Sequence, residues 1–150
     1  MCTIMRVGIY KEVQIDASHR LLHYKGKCAN LHGHRWKVEV WIEGEPDAKT
    51  NILIDYNLIK QTIGKYDHQI ILNEDDPMVK AIREFHHVIT TPGDPTSELL
   101  ALLIRNDLYE VCRSEGIVAD VPCIRVWESP NSYAELKTPG TQVELLHEDH

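Results

Sequence analysis

Val13-Gln14-Ile15-Asp16-Ala17-Ser18-His19 and, after an intervening loop, His32-Gly33-His34-Arg35-Trp36-Lys37-Val38 alternate apolar and polar residues with the period of a strand. The first pattern extends backward over residues 6–19, with Val7, Ile9, Val13, Ile15, Ala17 and His19 on one face and Lys11 as the exception. The second covers 32–43, with His32, His34, Trp36, Val38, Val40 and Ile42 on one face. Lys37, Glu39 and Glu43 fall on the other face, where Trp41 breaks the pattern. In both segments the histidines continue the apolar face. His32 and His34 are one residue apart, so their rings project to the same side about 6–7 Å from each other. If the two strands pair, His19 completes a facial set of three ring nitrogens at the end of a sheet.

The remaining chain alternates helix and turn signals before returning to strands. Asp55 has the character of an N-cap for a helix over about 56–65, with Ile59, Ile63 and Tyr66 on its inner side. Asp67-His68 and the loop-rich Asn73-Glu74-Asp75-Asp76-Pro77 follow, then a weakly patterned helical stretch over 78–88. The turn Pro92-Gly93-Asp94-Pro95-Thr96 leads into the clearest helix, about 96–114, whose stripe is Leu100, Leu103, Ile104, Leu108 and Val111. Glu98 in its first turn complements the helix dipole. Residues 121–128 and roughly 133–137 read as two closing strands. The order is ββααββ: an α+β fold with an antiparallel sheet and helices on one face.

Composition bounds the function. The 150 residues are expected to form one domain, with 43% hydrophobic and 26% charged residues, as in ordinary globular proteins. A formal net charge of −7 with scattered lysines and arginines argues against a nucleic-acid partner. No apolar run approaches a membrane span and Met1–Arg6 lacks a signal-peptide plan, so the expected location is the cytosol. Cys2, Cys28, Cys112 and Cys123 form neither a metal clip nor a disulfide framework.

Four residue sets carry chemistry. Three neutral imidazoles on Zn²⁺ leave a fourth position open for water or substrate, the pattern of a catalytic site. Cys28, four residues before His32, reads equally as a small buried hydrophobe, a thiolate base or nucleophile, or a fourth ligand that closes the site. Asp67-His68 reads as a proton relay or as an ordinary loop pair. Glu128, in phase with Ile124 and Val126, is either a pocket-floor acceptor for a ligand with several N–H donors or an edge residue escaping to solvent. His23, His86, His87, His147 and His150 have no matching geometry.

The combination resembles the 6-pyruvoyl-tetrahydropterin synthase family, most closely its carboxy-pterin-forming branch of queuosine and deazapurine biosynthesis. The resemblance rests on Ala17-Ser18-His19-Arg20-Leu21, Cys28-x-x-x-His32-Gly33-His34, Ile54-Asp55-Tyr56-Asn57-Leu58-Ile59-Lys60 and Asp67-His68-x-x-Ile71-Leu72-Asn73. It continues through Pro95-Thr96-Ser97-Glu98, Trp127-Glu128-Ser129-Pro130 and Tyr133-Ala134-Glu135. It implies the tunnelling fold, with four antiparallel strands and two helices per subunit, assembled as a hexamer of two stacked trimers with active sites between subunits. It also implies zinc on His19, His32 and His34, Cys28 as catalytic base, and Asp67 with His68 as a second proton-transfer pair contributed across an interface. Glu128 would anchor the pterin ring, and Thr96 and Ser97 would help line its pocket. The implied reaction converts 7,8-dihydroneopterin triphosphate to 6-carboxy-5,6,7,8-tetrahydropterin with release of acetaldehyde and triphosphate.

The three-residue spacer between Cys28 and His32 favours that branch over the pyruvoyl-forming one, which eliminates triphosphate only. Two features depart from the family pattern. Ile15-Asp16-Ala17-Ser18 replaces the usual entry to the first histidine, and the stretch 73–94 is longer than in compact relatives. A hexameric pterin- or metal-binding protein without turnover is a rival that needs no Cys28, Asp67 or His68. A structural zinc domain with Cys28 as fourth ligand is another.

Overall fold

The computed structural model describes residues 5–137, so Cys2, His147, His150 and the first four residues lie outside the described part. Strand β1 (Val7–His19) pairs antiparallel with β2 (His32–Gly44) in full register, from Val7 opposite Gly44 to His19 opposite His32. That register is what the shared alternation demands, since a one-residue slip would turn every apolar side chain of one strand into solvent. Strand β5 (Ala119–Ser129) pairs antiparallel with β2, and β6 (Ser132–Lys137) with β5.

The sheet has six strands rather than the expected four. Strands β3 (Gln69–Asn73) and β4 (Val88–Thr91) add to the free side of β1 in parallel, giving the order β4-β3-β1-β2-β5-β6. The expected helix over 78–88 is shorter: α2 spans Met78–Arg83 and the chain then turns into β4. The order ββααββ is therefore corrected to ββαβαβαββ, and the sheet is mixed rather than purely antiparallel. The extension has a small core of its own, Leu72, Val79 and Val88, which lets it fold against the sheet edge as a unit.

The two expected helices form where their caps place them. Asp55 accepts from the Asn57 N–H at the start of α1 (Tyr56–Gly64), and Thr96 accepts from the Leu99 N–H at the start of α3 (Ser97–Ser114). Ile59 and Ile63 of α1, with Leu100, Ile104 and Leu108 of α3, pack on Val13, Ile15, Trp36, Val38, Val40, Ile42, Ile124 and Val126 of the sheet. Both helices thus cover one face. Among the described residues, no helix is long and apolar enough to cross a membrane.

Candidate metal centre and its surroundings

The end of the β1–β2 pair carries the three histidines, and the register sets His19 directly opposite His32, with His34 opposite Ala17. All three rings project on the core side. The ring centroids lie 4.7 Å (His19–His32), 5.2 Å (His19–His34) and 4.8 Å (His32–His34) apart. Trp36, fully buried, forms the floor beneath His19 and His34 at 4.9 and 5.2 Å, and its indole N–H donates to the Ala17 carbonyl.

Hydrogen bonds fix the tautomers. His19 Nδ1 is 2.7 Å from the Pro95 carbonyl and His32 Nδ1 is 2.6 Å from the Asn30 carbonyl. A carbonyl only accepts, so each Nδ1 carries the proton and each Nε2 presents a lone pair. Those two Nε2 atoms face each other at 3.1 Å. Two neutral acceptors at that separation have no proton to share, whereas a cation between them resolves the contact. His34 Nε2 is also buried, with no partner in hydrogen-bond geometry. Burial lowers the His19 pKa, despite the opposing Pro95 carbonyl, and likewise lowers that of His34. Neutral rings with oriented lone pairs and carbonyl-anchored Nδ1–H groups are the donor set that a divalent metal takes. These residues fit such an ion.

Glu128 joins this group. Its Oε1 lies 3.2 Å from His34 Nε2, and the ligand atoms of His19, His32, His34 and Glu128 all fall within 4.8 Å of one another. It lies in phase with the buried Ile124 and Val126, as its position in the strand predicts, but a third of its side chain remains exposed. Cys28, in the short turn Lys27–Ala29, is half-buried and stands outside that four-residue group.

Asp67 and His68 occupy the opposite face of β1. Asp67 Oδ1 accepts from the Asp16 N–H at 2.8 Å and lies 3.1 Å from His68 Nδ1, and both side chains cluster with that of Asp16. The side chain of Asp16 alternates away from the core-facing Ala17 and is held by Arg35. The Asp16 backbone N–H, followed by His68, keeps the Asp67 carboxyl below its ordinary range. His68 has φ 59° and an exposed side chain, a left-handed backbone that aims its ring outward. A groove of about 490 Å³ runs from His68 past Ser18 and Gly33 to His34, with His86 on its wall. His86, set aside in the sequence for lack of geometry, thus borders the site region. A hollow of about 730 Å³ at the far end of the sheet, near Arg6 and Ile117, lies away from both clusters.

Several supports carried no sequence signal. Asp94 accepts from the Leu22 and His23 N–H groups and from the Asn73 side chain; burial works to raise its carboxyl, and these donors outweigh it. Asp76, buried in the extension, takes the Arg20 guanidinium in a two-point contact. The loop carrying Cys28 is thus tied to the segment 73–95. The turn residue Asp94, between Gly93 and Pro95, was the one visible hint. Of the two residues expected to help line a ligand pocket, Thr96 caps α3 through its side-chain oxygen and Ser97 is half-buried as the helix's first residue.

The sequence pattern that defines the 6-pyruvoyl tetrahydropterin synthase family matches residues 8–139. A Pyrococcus abyssi protein provisionally named 6-carboxy-5,6,7,8-tetrahydropterin synthase is 35% identical over 143 residues, covering 85% of this chain and 88% of its own. The Haemophilus influenzae 6-carboxy-5,6,7,8-tetrahydropterin synthase is 31% identical over 140 residues, covering 85% and 96%. The fold is similar to that of Caenorhabditis elegans 6-pyruvoyl tetrahydropterin synthase, with a TM-score of 0.61 and 22% identity over 93% of this chain and all of that one.

Proposed function

This chain belongs to the 6-pyruvoyl tetrahydropterin synthase family, and we propose that within it the protein is a zinc-dependent lyase. Its substrate is 7,8-dihydroneopterin triphosphate, and its products are 6-carboxy-5,6,7,8-tetrahydropterin, acetaldehyde and triphosphate. The observation that carries the reading is that His19, His32 and His34 each bring a ring nitrogen within 4.8 Å of the others, with the rings of His19 and His32 aligned by carbonyls. The relatives named for the carboxy-pterin product, and the Cys28–His32 spacing, support this branch.

His19, His32 and His34 would hold the metal. A bound Zn²⁺ supplies positive charge that lowers the pKa of substrate hydroxyls brought beside it. Cys28 removes a proton from the substrate side chain, and His68 returns or relays one, with Asp67 orienting the ring and stabilising its charged form. Glu128 accepts from the N–H edge of the pterin, where two parallel bonds to one carboxylate fix orientation. Thr96 and Ser97 stand at the start of α3, next to the Pro95 carbonyl that orients His19.

Asp67-His68 and the histidine trio lie on opposite faces of β1, so a second copy of the chain is the natural source of the missing half of each site. The strands β4 and β6 are sheet edges, and assembly into a closed barrel, two stacked trimers in this reading, would cover them.

The test is product identity. Metal-loaded protein is incubated with 7,8-dihydroneopterin triphosphate, followed by mass spectrometry and an acetaldehyde trap. Carboxy-tetrahydropterin with stoichiometric acetaldehyde is expected. Pyruvoyl-tetrahydropterin without acetaldehyde would assign the sister reaction and overturn this branch.

A further inference from the structure

We propose that Glu128 is a fourth, exchangeable ligand to the metal: it holds the remaining position before substrate arrives and turns to the pterin afterwards. This rests on the reading above only for its second half. The pairing of β5 with β2 places Val126 opposite Val38 and Trp127 opposite Lys37, so Glu128, two residues beyond Val126 on the same face of β5, lies toward the histidine end of β2.

There Oε1 stands 3.2 Å from His34 Nε2, yet that nitrogen is buried without a partner in hydrogen-bond geometry. A shared proton therefore does not account for the contact. Two electron-pair donors side by side, with two further Nε2 atoms converging at 3.1 Å, describe four donors around one cation. Three imidazoles and one carboxylate make a complete tetrahedral set for zinc, and the carboxylate offsets half of its charge.

The arrangement also allows exchange. The three histidines belong to β1 and β2 and two are pinned through Nδ1, whereas Glu128 keeps a third of its side chain exposed. It opens onto a pocket of about 530 Å³ lined by His34, Lys37, Trp127 and Pro130. A ligand held at one end and free on one side is the member of the set that yields. One carboxylate would then keep the metal closed at rest and recognise an N–H-rich ring when it arrives.

The experiment uses the full-length protein loaded with Co²⁺ in place of zinc, without substrate. Co²⁺ affinity, by chelator competition, and the visible ligand-field spectrum are measured for wild type, Glu128→Gln and the control Glu135→Gln. The expected result is an affinity about 10–100-fold weaker and an altered spectrum for Glu128→Gln alone, the scale seen when groups supporting a metal are removed. Unchanged affinity and spectrum would overturn the assignment, even in a protein that makes the proposed product. A Glu128-dependent spectrum in a protein with no turnover would uphold the ligand and sink the reaction instead. In wild type, unsubstituted pterin, which has the N–H edge but no side-chain hydroxyls, is expected to shift the Co²⁺ spectrum. No shift at saturation would overturn the exchange.

Discussion

On the core face of β1, His19 is 1% exposed and rests against Trp36; on the opposite face of the same strand, Asp16 and Asp67 are half-buried and His68 is exposed. In the first cluster burial disfavours protonation of His19, carbonyls hold Nδ1–H, and the Nε2 lone pairs point inward. The second is charged and compensated, with Arg35 across Asp16 and the Asp16 N–H on Asp67. Residue types overlap and each group could hold a cation by its spacing, yet in the proposed reading the first holds the metal and the second exchanges protons. Surroundings decide between the two uses.

The two clusters part most visibly at His34. His34→Ala is expected to lose bound metal and to lower kcat by at least about 10³-fold, with an unchanged circular-dichroism spectrum, because the cation's charge stabilisation goes with it. Metal retained at full occupancy with normal turnover would remove the core-face cluster from the reaction. Cys28→Ala comes next. It is expected to lower kcat by about 10²–10⁴-fold while metal content stays at wild-type level, as for a lost general base. Loss of metal in that variant would make Cys28 a ligand. On the outer face, His68→Asn keeps a residue tolerant of φ near 59° and is expected to lower kcat within the same range, again with metal retained.

The smallest effect concerns the brace between the extension and the loop. Asp76→Asn is expected to cost about 3 kcal/mol by chemical denaturation, at the low end for a broken buried pair because Arg20 keeps part of its surface in water. The Arg20 guanidinium holds the Asp76 carboxyl below its ordinary value of 3.8. The folded state therefore binds that proton less readily than the unfolded one. This contribution is complete above pH 3.8 and is lost as pH falls further through the folded value. An acid-unfolding limb identical in wild type and Asp76→Asn would contradict it.

How far the sequence carried these points varies by residue. Alternation placed His19, His32 and His34 on the core face, and Asp55 declared itself through local chemistry, while the stripe of α3 was right at Leu100, Ile104 and Leu108 but missed the buried Ala101 and Cys112. Strands β3 and β4 did not, because Gln69–Asn73 is a short apolar run without alternation and Val88–Thr91 has four residues. Both depend on pairing with β1 or each other, a long-range contact that periodicity does not report. The Trp41 exception also resolves in three dimensions: it packs 5.1 Å from Tyr10 on the outer face. Beside them Glu39, on the face away from the histidines as expected, is only 8% exposed and accepts from Tyr10 and Trp127. The carbonyls of Pro95 and Asn30 that align the imidazoles are backbone groups, invisible in any residue pattern.

If the two faces of β1 serve one reaction, a second copy of the chain must join them, and co-expression of His34→Ala with His68→Asn tests this. Mixed oligomers, with both chains verified by native mass spectrometry, are predicted to turn over 7,8-dihydroneopterin triphosphate when neither variant does so alone, since an intact trio from one chain meets an intact Asp67-His68 pair from another. Mixed oligomers that remain inactive would contradict it.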